Sequence, residues 1–156
     1  MGDIISREQA ATLSQAAQAQ GRSVVLTNGC FDILHVGHLR YLQQARAHGD
    51  LLIVGVNDDA SVQRLKGPTR PLVTGDERAE LLAGLACVDA VVIFPEATAD
   101  PLLEAIRPSI YVKGADYNVG NLPERETVER LGVRPVFVAL VAGRSTTNLV
   151  GKIQES

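Results

Sequence analysis

The chain has 156 residues, 46% of them hydrophobic, which suits one domain (residues 1–156) with a core of its own. A formal charge of -3 and a pI near 5.6 leave no global positive field for nucleic acid or an anionic membrane surface. Two cysteines make no disulfide framework, and neither a signal-type apolar core nor an 18-residue apolar span is present, so the cytoplasm is the expected compartment.

In chain order, Ser6-Arg-Glu-Gln9 reads as a capping box. It opens a helix through the Ala/Gln/Leu run to Gln20, with Gly21 as its stop. Ser23 to Asn28 is the first strand. Val36 to His48 is a helix ended by Gly49, and Leu51 to Val56 a second strand. That strand's unbroken Leu/Ile/Val character fits coverage on both faces, hence a parallel sheet. Asp58 and Asp59 begin a short helix to Leu65, as N-cap and first-turn charge, and the Gly/Pro-containing loop Lys66 to Val73 follows. Thr74-Gly-Asp-Glu77 is a second capping box for a helix to about Ala86. Val88 to Phe94 is strand three. Asp100-Pro101 reads as an N-cap and N1 pair for a helix ending near Arg107. Ser109 to Lys113 is strand four, Pro123 opens a helix stopped by Gly132, and Arg134 to Leu140 is strand five. Ser145 caps a closing helix to about Gln154. Five strands alternating with helices predict a doubly wound, Rossmann-like α/β sheet with helices on both faces.

Ligands of such sheets sit outside the carboxyl ends of the strands. That rule groups Asn28 to His38, Asn57 to Asp59, Lys113 to Tyr117 and Gly143 to Asn148, all polar and mostly glycine-containing. The first strand is not followed by the G-x-G-x-x-G turn of a dinucleotide domain, nor by a P-loop. His35-Val-Gly-His38 stands there instead, with Gly37 permitting close approach of backbone and ligand. A helix N-terminus favours an anion, and two imidazoles one turn apart can donate to the same point. Ser145, Thr146 and Thr147 offer hydroxyls and N–H groups at a second helix start, with Arg144 beside them. Lys66 supplies a point charge, with Arg70 a weaker candidate in the same loop. Reading Asp32, His35 and His38 as metal ligands at i, i+3 and i+6 spreads them over too much of one helix and lacks H-E-x-x-H. No protein-held metal is expected. Cys30 and Cys87 read as small buried residues rather than reactive thiols.

TNGCFDILHVGHLRYL (27–42) resembles the nucleotidyltransferase superfamily with the HxGH signature, and GRSTTN (143–148) resembles its second nucleotide-binding motif. NGCFDILH, LKGPTRPL, VKGADY (112–117) and GRSTTNLV together resemble, over nearly the whole chain, the adenylyltransferases that act on D-glycero-β-D-manno-heptose 1-phosphate. In many members this domain follows a sugar-kinase domain, which these residues do not include. The resemblance implies transfer of AMP from ATP to a sugar 1-phosphate, giving ADP-heptose for the lipopolysaccharide inner core and releasing pyrophosphate. It implies that Asn28, Gly29, Cys30, Phe31 and Asp32 approach the nucleotide phosphates, Phe31 packing beneath, with Asp32 alternatively orienting a lysine or a metal-bound water. Asp116 and Tyr117 fall where relatives contact the nucleoside, and Arg78 matches an arginine of related cytidylyltransferases. Mg²⁺ is expected to come mainly with the nucleotide phosphates. A homodimer is a state open to the chain. The alternatives are a cytidylyltransferase acting on glycerol 3-phosphate or a related alcohol phosphate, and a non-catalytic nucleotide-binding module.

Overall fold

Among the described residues every strand pairing is parallel, and the first, fourth, third, second, fifth and sixth strands of the chain lie side by side in that order, so the winding of the sheet reverses at the second strand. A computed structural model describes residues 2–139 and 146–155, apart from the side chains of residues 146–148 and 155. Within these residues the elements are β1 (Asp3–Ile4), α1 (Arg7–Ala19), β2 (Val24–Gly29), α2 (Val36–Ala47), β3 (Leu51–Asn57), α3 (Asp59–Lys66) and α4 (Gly75–Ala83). They continue as β4 (Ala90–Phe94), α5 (Asp100–Ile106), β5 (Ile110–Gly114), α6 (Arg125–Leu131), β6 (Arg134–Val138) and α7 (Thr146–Glu155).

The strands divide their side chains by parity, as a pleat requires. Val24 and Leu26 of β2, Ile53 of β3, Val92 of β4 and Tyr111 of β5 meet α1, α5 and α6 on one face. Val25, Leu52, Val54, Val91 and Val112 meet α2 and α4 on the other. All seven residues of β3 are buried, which accounts for its unbroken apolar character. Gly55 permits the fit at the centre of the sheet, since a Cβ there would stand 2.6 Å from Leu102 and 3.3 Å from the Cβ of Asn28.

Among the described residues the sheet has six strands rather than five. The extra one, β1, is two exposed residues paired with the edge of β4, too short for any hydrophobic period. Two helix starts also move. Ala99 is the N-cap of α5, so Asp100 and Pro101 lie inside the first turn. The Asp100 carboxylate accepts instead from Thr98 (2.7 Å) and Thr127 (2.6 Å), which ties α5 to α6. Pro123 lies two residues before α6, whose N-cap is Glu124. The Ser6 capping box forms with both bonds, and Thr74 accepts from the Glu77 amide at 3.4 Å.

Candidate active site

Strand β2 lies between β3 and β5, so the crevice beyond its C-terminal end is the switch point of the sheet. A cavity of about 760 Å³ occupies it, lined from the first strand end by Asn28 through Asp32 and from α2 by His35, Gly37 and His38. Lys66, Arg70, Lys113, Asp116 and Tyr117 complete much of the wall. Arg144 and Ser145 lie outside the described residues. Thr146 and Thr147 begin α7.

The two histidines start α2 themselves. His35 is its N-cap, and its Nδ1 accepts the Gly37 amide at 3.0 Å; His38 is at N3, and its Nδ1 accepts the His35 amide at 3.3 Å. This is a capping box with imidazoles in the roles usually played by a hydroxyl and a carboxylate. A nitrogen that accepts from a backbone N–H carries no proton, so each neutral ring holds its proton on Nε2. The rings stack with centroids 4.0 Å apart, and Phe31 meets His38 edge-on at 5.4 Å. Phe31 reaches that position with φ of 49°, a left-handed conformation costing about 1–3 kcal/mol in a non-glycine residue. Its ring is buried beneath the helix start.

Burial, the neighbouring His35 and the charge of Lys66 bring the His38 pKa down to about 4. His38 is therefore neutral at pH 7 and can act there as an Nε2–H donor, not as an acid. An unfolded imidazole titrates near 6.5, so between the two values the unfolded chain binds more protons. The contribution is fully present above about pH 6.5 and is lost as pH falls through about 4. Following the imidazole nitrogens of the free protein by NMR from pH 7 to 3.5 should show His38 in the Nε2–H tautomer and titrating near the low value. A midpoint at the ordinary 6.5 would contradict the buried-donor description.

Asp32 is buried, and its carboxylate is fully engaged. It accepts from Arg70 Nε (2.6 Å), from the Leu72 amide (2.9 and 3.0 Å) and from the Val73 amide (2.9 Å). Burial alone would raise its pKa, but the two amides and Arg70 outweigh it and hold the carboxyl below its ordinary value. Asp32 thus fastens residues 70–73 of the loop after α3 to the cavity wall, and among the described residues no lysine is one of its bonded partners. Lys66 is exposed, as the last residue of α3 rather than within the loop. Cys30 lines the cavity, its thiol 3.8 Å from Asn57 Oδ1; burial pushes the thiol pKa up, against a role as thiolate. Cys87 packs against the core on the α2 and α4 face.

Further residues shape the site from within its wall or from behind it. Arg78, fully buried, donates to the carbonyls of Val73, Cys30 and Asn57 and to Asp59, bracing the ends of β2 and β3 from behind. Tyr111 donates to Asn28 Oδ1 at 2.5 Å and faces Glu124 Oε1 at 3.3 Å. Lys113, next to last in β5, lines the cavity, its ammonium 5.3 Å from the centre of the Tyr117 ring. A lone lysine closing the run IYVK was the legible signal; Glu124 was given no reading from its sequence context.

Residues 26–148 match the family model described as Cytidylyltransferase-like. The chain belongs to the cytidylyltransferase-like family. Members similar to it include the "Bifunctional protein HldE" of Geobacter sulfurreducens, 56% identical over 138 residues, covering 88% of this chain and 28% of that one. The protein of the same name from Syntrophotalea carbinolica is 50% identical over 147 residues, 94% of this chain and 30% of the relative. The chain therefore spans under a third of the length of these relatives. Among solved structures, the "lipopolysaccharide core biosynthesis protein" of Thermoplasma volcanium superposes with a TM-score of 0.64 at 27% identity, over 78% of this chain and 98% of that one.

Proposed function

We propose that this cytidylyltransferase-like domain transfers AMP from ATP to a sugar 1-phosphate, specifically D-glycero-β-D-manno-heptose 1-phosphate, releasing pyrophosphate. The observation that carries the proposal is the His35–His38 pair: two stacked rings whose Nδ1 atoms are occupied by backbone amides at the switch point of the sheet. The names and close similarity of the HldE relatives, and the lipopolysaccharide core protein of similar fold, support the choice of acceptor.

A phosphate oxygen of the acceptor attacks the α-phosphorus in line, and the bond from that phosphorus to the bridging oxygen breaks, so that oxygen leaves with pyrophosphate. Charge grows on the α-phosphoryl and leaving oxygens. Nε2–H donors held before the reaction stabilise it without reorganising. Lys66 and Arg70 add positive charge at the same end of the cavity. In this reading Asp116 and Tyr117, beyond the end of β5, contact the nucleoside, and the resemblance to the family's second nucleotide-binding motif assigns phosphate binding to Arg144, Ser145, Thr146 and Thr147. No covalent intermediate is required.

The carboxylates of the wall fit an ion carried in by the nucleotide. Asp32 is fully engaged by N–H donors, and among the described residues no group of three or more metal-ligating side chains forms a cage. Mg²⁺ bound to the phosphates would supply charge neutralisation, with exposed Asp116 available to hold its waters. Among the described residues no helix is long and apolar enough to cross a membrane, and both cysteines are free, which suits a cytoplasmic enzyme using ATP.

The test is pyrophosphate release with Mg²⁺, the heptose 1-phosphate and each nucleoside triphosphate in turn. Turnover is expected with ATP, and removal of the divalent ion with EDTA should abolish it. Turnover with CTP and glycerol 3-phosphate alone would transfer the assignment to an alcohol-phosphate cytidylyltransferase. Tight ATP binding with no turnover on any acceptor would leave a binding module.

A further inference from the structure

The cavity has two chemically different halves because it straddles the edge of the sheet. Around the start of α2 stand His35, His38, Lys66 and Arg70, with the Asp32 carboxylate neutralised by Arg70 and two backbone amides, a set suited to a polyphosphate. On the opposite face, Asn28, Lys113 and Glu124 bring an amide, one ammonium and one carboxylate to the same space. A buried carboxylate repels a triphosphate but accepts well from hydroxyl groups.

Glu124 is held for such a role. Only 4% of it is exposed; Oε2 accepts the Ala99 amide at 3.0 Å and Oε1 faces the Tyr111 hydroxyl at 3.3 Å. The Ala99 amide fixes Oε2, and the phenol, whose single proton lies closer to Asn28 Oδ1, stands beside Oε1, which leaves the carboxylate further lone pairs. Tyr111 also donates to Asn28 Oδ1, so Asn28 and Glu124 are oriented by one phenol. Lys113 has no carboxylate within 4.0 Å among the described residues. Burial lowers its pKa, while Glu124 and Asp116 act to raise it. A partly desolvated ammonium without an ion-pair partner, facing a cavity, is matched to a ligand anion.

We propose that Lys113 and Glu124 form the acceptor subsite, Lys113 holding the phosphate of the sugar and Glu124 accepting hydrogen bonds from its ring hydroxyls. This rests on the adenylyl-transfer reading above and adds to it the residues that select a polyhydroxylated acceptor. Glu124 makes the site poor for an acceptor with few hydroxyls, because the carboxylate then stays buried with its remaining acceptor capacity unused.

The experiment measures steady-state constants for both substrates, with calorimetric binding of ATP and of the sugar 1-phosphate separately, for the wild type, Lys113→Met and Glu124→Gln. Both substitutions keep the shape, and glutamine can still accept from the Ala99 amide, so thermal unfolding should confirm a folded protein. The expected result is a KM for the sugar phosphate raised about 10- to 100-fold, matching loss of a charge-assisted bond. ATP affinity should stay within about twofold, as for a group outside the ATP site. Glu124→Gln should also narrow the preference for the sugar over a deoxygenated analogue. Equal weakening of ATP and acceptor, or an unchanged acceptor KM in a wild-type background that turns over, would overturn the subsite and leave adenylyl transfer standing. A wild type that neither binds nor turns over a sugar 1-phosphate would remove both.

Discussion

His38→Ala is expected to lower kcat for pyrophosphate release about 10²- to 10³-fold, the usual loss when one preorganised donor to a developing charge is removed. The KM for ATP should change much less, because the bond is strongest when charge has moved onto the α-phosphoryl and leaving oxygens. A stability loss accompanies the rate loss, since His38 Nδ1 also accepts the His35 amide that starts α2. Losing such a cap costs about 1 kcal/mol, or about 2–4 °C in Tm for a chain of this size. Two further variants separate the effects. Asparagine can place an acceptor where Nδ1 stands but cannot reach the phosphates, so His38→Asn should restore Tm and stay slow. Glutamine extends an amide towards the Nε2 position, so His38→Gln should recover part of the rate with less of the cap. Wild-type kcat in a folded His38→Asn protein would refute the donor role.

Why the sequence exposes one part of this site and hides another follows from the range of the interactions. The sheet was legible because burial on both faces leaves local marks: the run in β3, the glycine at the end of α1 and the Ser6 box all act within a few residues. The two-residue β1 was not, because its pairing to β4 spans more than eighty residues and buries nothing with a period. The histidines were conspicuous as a polar pair at a strand-helix junction. Their mutual role as caps was not, since sequence does not reveal which ring nitrogen meets an amide. Asp32 shows the same limit. A carboxylate in a phosphate-binding loop suggests chemistry, yet its partners are Arg70, Leu72 and Val73, some forty residues away, and only the fold brings them together. Glu124 and Tyr111 were hidden for a related reason: each sits in an ordinary local pattern, and their meaning arises from convergence with Lys113 across β5 and the start of α6.

Arg78→Met should destabilise the protein by about 3–5 kcal/mol, lowering Tm by on the order of 10 °C, although Arg78 touches no solvent. Its Nε donates to Val73 O at 2.8 Å, Nη1 to Cys30 O at 2.6 Å and Asn57 O at 2.8 Å, and Nη2 to Asp59 at 2.8 Å. Methionine fills much of the volume but satisfies none of these acceptors. Asp59 is half exposed and can be rehydrated, so the cost falls on the buried carbonyl of Asn57 and the partly buried carbonyls of Cys30 and Val73, at roughly 1–3 kcal/mol for each one left without a donor. Lysine keeps the charge but cannot span acceptors on three segments, so Arg78→Lys should recover less than half of the loss. Urea unfolding of the two variants against the wild type measures this directly. Arg78 matches an arginine of related cytidylyltransferases, and a substrate contact and a structural brace predict different outcomes for it. A phosphate contact would raise the KM for ATP at unchanged Tm. A brace lowers Tm first and weakens ATP binding only as the Cys30 and Asn57 walls that it holds give way. With the guanidinium 0% exposed and every nitrogen committed to protein, the brace is the role the packing permits.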